Sequence, residues 1–155
     1  MNKEFFPEDL VVLNKADGSD YPFVLKENFI FKWKHGGMLK GYESDTYEVK
    51  VPKGYTTDFG SLPRITQGIY NAVNEIAPAA TAQDYAYSVE LFERHIIDRM
   101  FYDALRANGV GWLRAQTLYR AVRLGGWIAW PHKPEELAED RALYREAFGK
   151  DYNGI

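Results

Sequence analysis

The sequence contains no cysteine, few histidines and no long apolar run, and each shortage excludes a class of protein. Without cysteine, the 155 residues hold no disulfide scaffold, thiolate zinc site or cysteine nucleophile. The histidines, at positions 35, 95 and 132, lack the spacing of a metal site, so we expect neither a metal nor a cofactor. No segment approaches the ~20 apolar residues of a membrane helix, and we expect no signal peptide.

A strong excess of charge of one sign is also missing. The net charge is −3, from 22 acidic and 19 basic residues. Because nucleic-acid binding rests on a basic face, we expect no nucleic-acid partner. Aromatic residues are abundant instead, at 15% of the chain. Such side chains are favoured at protein interfaces and fill cores equally well.

The front of the chain predicts antiparallel strands. Apolar and polar residues alternate over residues 28–34 and 46–51, which indicates strands with one buried face. Shorter strand-like runs at residues 10–13 and 23–25 flank the turn signal Asp17-Gly18. The run at residues 46–51 is expected to stop at Pro52, which cannot donate to a ladder. We expect these runs to form a meander of antiparallel strands.

From Asp58 onward the pattern predicts helices. Pro63 and Pro78 are each expected to open a helix, and Ser88 to cap a third helix that stops at Asn108-Gly109. Further helices are expected over residues 112–130 and 134–148. With no internal repeat or linker, the sequence predicts one α+β domain over residues 1–155. Its N-terminal antiparallel strand meander would pack on a C-terminal helical half.

The densest group of polar residues lies where the strands give way to helices. Asp58, Ser61 and Arg64 are spaced so that they converge on a bend. In a functional interpretation, Asp58 is a general base or metal ligand and Arg64 binds an anion. In the alternative, side-chain-to-backbone hydrogen bonds hold a structured corner. Further on, Arg94 and Asp98 lie four residues apart on one helix face, a spacing typical of a surface ion pair.

The same corner resembles a known family. The chain reads Val51-Pro52-x-Gly54-Tyr55-x-Thr57-Asp58-Phe59-x-Ser61-Leu62-Pro63-Arg64. It is similar to the signature Val-Pro-x-Gly-Phe-x-Thr-Asp-Phe-Ala-Ser-Ile-Pro-Arg of the domain-of-unknown-function family 1353, common in tailed bacteriophages and prophages. Three later stretches also match, at residues 83–87, 94–98 and 119–126, so the resemblance covers roughly residues 29–127.

The resemblance implies a bacteriophage or prophage setting but no established activity. It also implies that five polar residues gather in space: Asp58, Ser61, Arg64, Asp84 and Asp98. The chain departs from the family at Gln83, where the family usually has histidine. A glutamine amide is a poor metal ligand and cannot shuttle protons near neutral pH, so a catalytic site there would be lost or changed.

Three functions stay open. The leading hypothesis is a non-catalytic virion component or accessory protein, which contacts phage or host proteins in the host cytoplasm or the virion. The second is a metal-assisted or acid/base hydrolase, for example directed at the cell wall, that uses Asp58 and Asp84. The third is an inhibitor of a host defence protein. The sequence predicts no oligomeric state.

One helix is the candidate interface for such contacts. Its aromatic and arginine residues are of the types enriched at binding hot spots: Trp112, Arg114, Tyr119 and Trp127. The alternative is a core-facing helix with exposed arginines.

Overall fold

A computed structural model of the chain describes residues 1–59, 70–129 and 134–149. It confirms an α+β fold in which antiparallel strands come first and helices follow. The strands are β1 (Val12–Asn14), β2 (Phe23–Leu25), β3 (Phe29–Lys34), β4 (Thr46–Val51) and β5 (Thr56–Thr57). The helices are α1 (Tyr70–Ser88), α2 (Arg94–Ala107), α3 (Trp112–Ala129) and α4 (Pro134–Phe148).

The strands form two antiparallel sheets. In one, β3 and β4 pair as a hairpin in which Phe29 lies opposite Val51 and Lys34 opposite Thr46. The predicted alternation is confirmed, because every second residue of β3, beginning with Phe29, is buried. The other sheet has the order β1-β2-β5. Phe6 stacks on Phe29, with ring centroids 5.9 Å apart, and so adds the N-terminal segment to the core.

The predicted apolar stripe of α2 is also confirmed. Its buried residues recur at helical spacing and include Ile97, Met100 and Phe101. The helix lies between α1 and α3, and it contacts β3 as well. Trp33 of β3 donates from Nε1 to Asp103 Oδ2 of α2 at 3.0 Å. The predicted stop is present, because Gly109 adopts a φ of +89° after the helix ends.

Two helix predictions are wrong, and both concern α1. Pro78 lies inside this helix and does not open it. Although proline removes a backbone donor, fully buried neighbours such as Ile76 and Ala79 hold this part of α1 in the core. Ser88 ends α1 and caps no following helix, since α2 begins at Arg94. The predicted helix start near Ile65 lies outside the described residues.

The end of α1 has a specific backbone cause. Glu90 adopts a φ of +51°. The Leu91 amide then donates to the Ala86 carbonyl at 2.9 Å, and the Glu90 amide donates to the Tyr87 carbonyl at 3.1 Å. These two bonds form a Schellman motif, which satisfies carbonyls at a helix C-terminus. The chain therefore turns sharply between α1 and α2.

No helix in the described ranges is long and apolar enough to span a membrane. Three of the helices share one hydrophobic cluster with the β3–β4 hairpin. The fourth, α4, has no buried residue and contacts this body from outside. Two polar clusters lie where these elements meet.

Candidate functional site

The first polar cluster surrounds Asp98, whose side chain is fully buried in α2. Polar side chains from three helices surround its carboxylate. Tyr87 of α1 donates its hydroxyl to Oδ1, and Arg123 of α3 donates from Nη1 to Oδ2 at 2.8 Å. Arg94 Nε lies 3.5 Å from Oδ2. We call these four residues the Asp98 cluster. Because both carboxylate oxygens are engaged, the cluster fastens α1, α2 and α3 to one another.

The electrostatics of the Asp98 cluster fit a structural role. Burial and the hydrogen bond to Asp98 raise the pKa of the Tyr87 phenol, so this group stays a protonated donor. The pair of Arg94 and Asp98 is present as the spacing predicted. It is not a surface pair, however, since the Asp98 side chain has no exposed area. Removing one partner of a buried pair is far more destabilising than breaking a surface pair.

The second polar cluster begins at the strand-to-helix corner. Thr57 donates its hydroxyl to Asp84 Oδ2 at 2.6 Å and accepts the Phe59 amide at 2.9 Å. The Thr57 side chain thus links the corner to α1 by a hydrogen bond. Asp58 is half-buried beside it. These bonds are the kind expected of a structured corner, although the half-buried carboxylates leave acid/base chemistry open.

Burial and negative charge near this corner raise the pKa of two tyrosines. Burial raises the pKa of the Tyr21 phenol, and the carboxylates of Glu136, Asp58 and Asp84 raise it further. Burial likewise raises the pKa of Tyr55, with added contributions from Asp84 and Asp140. We define the tyrosine–acid cluster by the residues that share this field: Tyr21, Tyr55, Asp58, Asp84 and Asp140.

Asp140 of α4 is a member of this cluster that the sequence patterns did not single out. Burial raises the pKa of its carboxyl from 3.8 to about 6. Glu136 and Glu139 add to this rise, whereas a hydrogen bond with Ser88 opposes it. In the sequence, Asp140 is one of several acidic residues in a charged helix, and nothing in its spacing indicates that it faces α1.

The candidate site residues therefore fall into two groups. Asp58 and Asp84 lie in the tyrosine–acid cluster, whereas Asp98 has Tyr87 and two arginines as partners. Ser61 and Arg64 lie outside the described residues.

The four predicted interface residues also differ in their surroundings. Trp112 is 60% exposed at the start of α3. Arg114, by contrast, donates from Nη1 to Glu75 Oε2 at 2.8 Å. Tyr119 packs edge-on against Tyr102, with ring centroids 5.8 Å apart. Trp127 belongs to α3, but its side chain lies outside the described residues.

Two leucines of α3 form an exposed apolar surface that the sequence interpretation missed. Leu113 is 72% exposed and Leu124 is 78% exposed. They are eleven residues apart, so they lie within ~20° of each other around the helix and ~16 Å apart along it. Ala115 and Val122 occupy the opposite side, which faces the core. A helical wheel anchored on these core-facing residues would have revealed the surface. We call Trp112, Leu113 and Leu124 the α3 surface.

Within residues 1–59, 70–129 and 134–149, no three His, Asp or Glu side chains are grouped so as to hold a metal ion. His35 is buried in the β3–β4 loop. Its Nε2 lies 2.6 Å from the Ser44 carbonyl oxygen, and its Nδ1 accepts the Leu39 amide at 3.4 Å. This histidine shapes the loop.

Comparison with known proteins yields one family. The family model described as "Protein of unknown function (DUF1353)" matches residues 39–122. This segment is more than half of the chain and runs from the β3–β4 loop into α3. No curated protein and no solved structure matches the chain. The matched segment contains Asp58, Asp84 and Asp98, and α4 with Asp140 follows it.

Proposed function

Because the chain belongs to the DUF1353 family of proteins of unknown function, we propose that it is a small bacteriophage or prophage protein without catalytic activity. It acts through protein contacts, either as a virion component or as an accessory protein. The phage setting is drawn from the family resemblance. The mode of action is drawn from the α3 surface, which is the observation that carries the proposal.

The α3 surface exposes three large apolar side chains on one helix: Trp112, Leu113 and Leu124. Burying each leucine at a partner would contribute ~1.5–3 kcal/mol. Tryptophan is among the residues most enriched at binding hot spots. Leu113 and Leu124 lie on one side of a helix whose other side is packed, so a partner reaches both without unfolding the protein.

The Asp98 cluster supports a non-catalytic role. Asp98 is the most deeply buried of the carboxylates that the family motifs single out, and both of its oxygens are engaged by Tyr87 and two arginines. A general base needs an oxygen within reach of a substrate proton. The family motif at α2 therefore supplies stability here and no reactive group.

Quantitative peptide mass spectrometry tests the proposal on purified virions and on affinity purifications from infected cells. We expect the wild-type chain in stoichiometric amount with virion proteins or with a defined phage or host partner. The double variant Leu113→Glu, Leu124→Glu should lower that association at least tenfold, because it places charge in an apolar contact. Leu13→Glu is the matched control, since Leu13 is 51% exposed on β1, away from α3.

Thermal melting of all three proteins separates a lost contact from a lost fold. Equal melting temperatures with association lost only in the α3 double variant support the proposal. If the wild-type chain associates with no phage or host protein, or if the double variant associates as well as wild type, the proposal is wrong.

An acid/base hydrolase is the second candidate, and the half-buried Asp58 and Asp84 near Tyr21 favour it. The short bond from Thr57 would hold Asp84 in a fixed orientation. Release of soluble fragments from purified cell walls tests this activity. Asp84→Asn should abolish the release, and Asp9→Asn, at an exposed carboxylate, should not. No release by the wild-type protein would leave the protein-contact function standing.

A further inference from the structure

The third helix carries positive charge in a chain that is negative overall. It contains three arginines and no aspartate or glutamate, whereas the whole chain has a net charge of −3. Arg114 Nη1 lies 2.8 Å from Glu75 Oε2. Arg123 Nη1 lies 2.8 Å from Asp98 Oδ2. Arg120 is exposed, and its guanidinium has no ion pair or hydrogen bond with any residue that the structure describes.

Arg120 lies between the two leucines of the α3 surface. It comes seven residues after Leu113 and four before Leu124, so the three residues lie within ~40° of one another around the helix. Thr117 occupies the same side of α3. Its hydroxyl donates to the Leu113 carbonyl at 2.9 Å and is therefore already paired. A partner that covers this side meets apolar side chains at both ends and one positive charge between them.

The charge of Arg120 restricts the chemistry of such a partner. An apolar or basic surface would take the guanidinium out of water without a counter-ion, which is costly. A carboxylate accepts two parallel hydrogen bonds from a guanidinium and balances its charge. The leucines on either side require apolar side chains next to that carboxylate. The complementary segment is thus acidic and apolar at once.

Neither α3 nor α4 of a second copy offers such a segment. Pairing α3 with its own copy would bring basic helices together. The fourth helix is rich in exposed acids, among them Glu135 and Glu139. Its large apolar residues Leu137 and Tyr144, however, pack against the core of their own chain. No large apolar residue in the described part of α4 is exposed to receive Leu113 or Leu124.

We propose that the α3 surface binds a segment of another protein in which aspartate or glutamate residues lie between apolar side chains. Arg120 selects this segment by its charge, and the leucines supply the apolar contact. The inference rests on the proposed protein-contact function and names the chemistry of the partner.

Site-directed photo-crosslinking identifies the segment that covers α3. Because the chain has no cysteine, Ala121→Cys provides a single exposed site next to Arg120 for a benzophenone–maleimide label. The labelled protein is irradiated in extracts of infected cells and with disassembled virions, and the cross-linked peptides are sequenced by mass spectrometry. We expect them to come from one segment of a phage or host protein that has more Asp and Glu than Lys and Arg, with apolar neighbours.

Charge variants in the labelled background test whether Arg120 selects that segment. Arg120→Glu should lower the cross-linking yield about tenfold, because it sets like charges against each other. Arg120→Lys keeps the charge and should retain most of the yield. Raising the salt concentration from ~0.05 M to ~0.5 M should lower the yield with Arg120 in place, since salt screens the attraction. Lys26→Glu is the matched control, because it reverses an exposed charge just after β2, and it should leave the yield unchanged.

The outcomes separate this inference from the proposed function. Cross-linking to a phage or host segment without an excess of acidic residues overturns the inference and leaves protein contact standing. An equal yield from Arg120→Glu and from the protein with Arg120 does the same. Cross-linking only to a second copy of the chain also overturns it. If no protein is cross-linked, the inference and the protein-contact function both fail.

Discussion

Removing the Asp98 carboxylate should destabilise the fold more than removing any exposed carboxylate. In Asp98→Ala, Arg94 and Arg123 lose their buried counter-ion and Tyr87 loses its acceptor. A cavity also forms where α1, α2 and α3 meet. The buried groups that remain cannot all find new partners, and that penalty dominates the effect.

The structure sets the magnitude of this loss. Breaking a buried ion pair by removing one partner costs ~3–5 kcal/mol. Arg123 keeps 39% of its side chain exposed and Arg94 keeps 22%, so both regain some hydration. We therefore expect the free energy of unfolding to fall by about 2–4 kcal/mol in Asp98→Ala. Asp98→Asn keeps the shape and one acceptor oxygen but loses the charge, and should cost about 1–2 kcal/mol.

Urea denaturation followed by tryptophan fluorescence measures these changes, since the chain has four tryptophans. The matched control is Asp9→Ala, which removes an exposed carboxylate that pairs with Lys3, and its unfolding midpoint should not move. If Asp98→Ala loses less than about 1 kcal/mol at an unchanged slope, the cluster does not hold the helices together. Adding Arg123→Ala to each protein isolates the coupling between Asp98 and Arg123.

Two further predictions concern the links between strands and helices. Thr57→Val keeps the side-chain shape but removes the hydrogen bonds to Asp84 and from the Phe59 amide, so the free energy of unfolding should fall by about 1–3 kcal/mol. Thr57→Ser keeps the hydroxyl and should retain most of the wild-type stability. Equal losses in the two variants would contradict a stabilising role for these hydrogen bonds. Trp33→Phe removes the bond to Asp103 and leaves a void, so about 2–4 kcal/mol should be lost, and a thermal melt unchanged from wild type would argue against this link.

Elements with a clear period were predictable from the sequence. The alternation in β3 and β4 and the stripe on α2 are set by burial of one face, which leaves a direct trace in residue order. The course of α1 was not predictable in this way. Local rules place proline at helix starts and serine at caps. Burial around Pro78 and the positive φ at Glu90 overrode those rules, and both depend on the rest of the fold.

In the candidate site, too, some features were predictable from the sequence and others were not. Family motifs pointed to Asp84 and Asp98, but the groups that decide what these carboxylates do come from distant parts of the chain. Thr57 lies 27 residues from Asp84, and Arg123 lies 25 residues from Asp98. Asp140 meets Ser88 only because α4 packs against α1. Such pairings leave no trace in local spacing, so a single sequence does not indicate them.

The two carboxylates that the motifs single out on α1 and α2 have different surroundings, and this difference supports the proposed protein-contact function. Both oxygens of Asp98 are occupied by donors, so the hydrolase alternative rests on Asp58 and Asp84. Gln83, next to Asp84 in the chain, is 5% exposed and has no titratable proton. A histidine–aspartate relay therefore cannot form at this position. Asp84 is already bonded to Thr57 and lies under the influence of α4, whereas the α3 surface is open to a partner. We therefore propose protein contact ahead of hydrolysis, since Leu113 and Leu124 are already exposed.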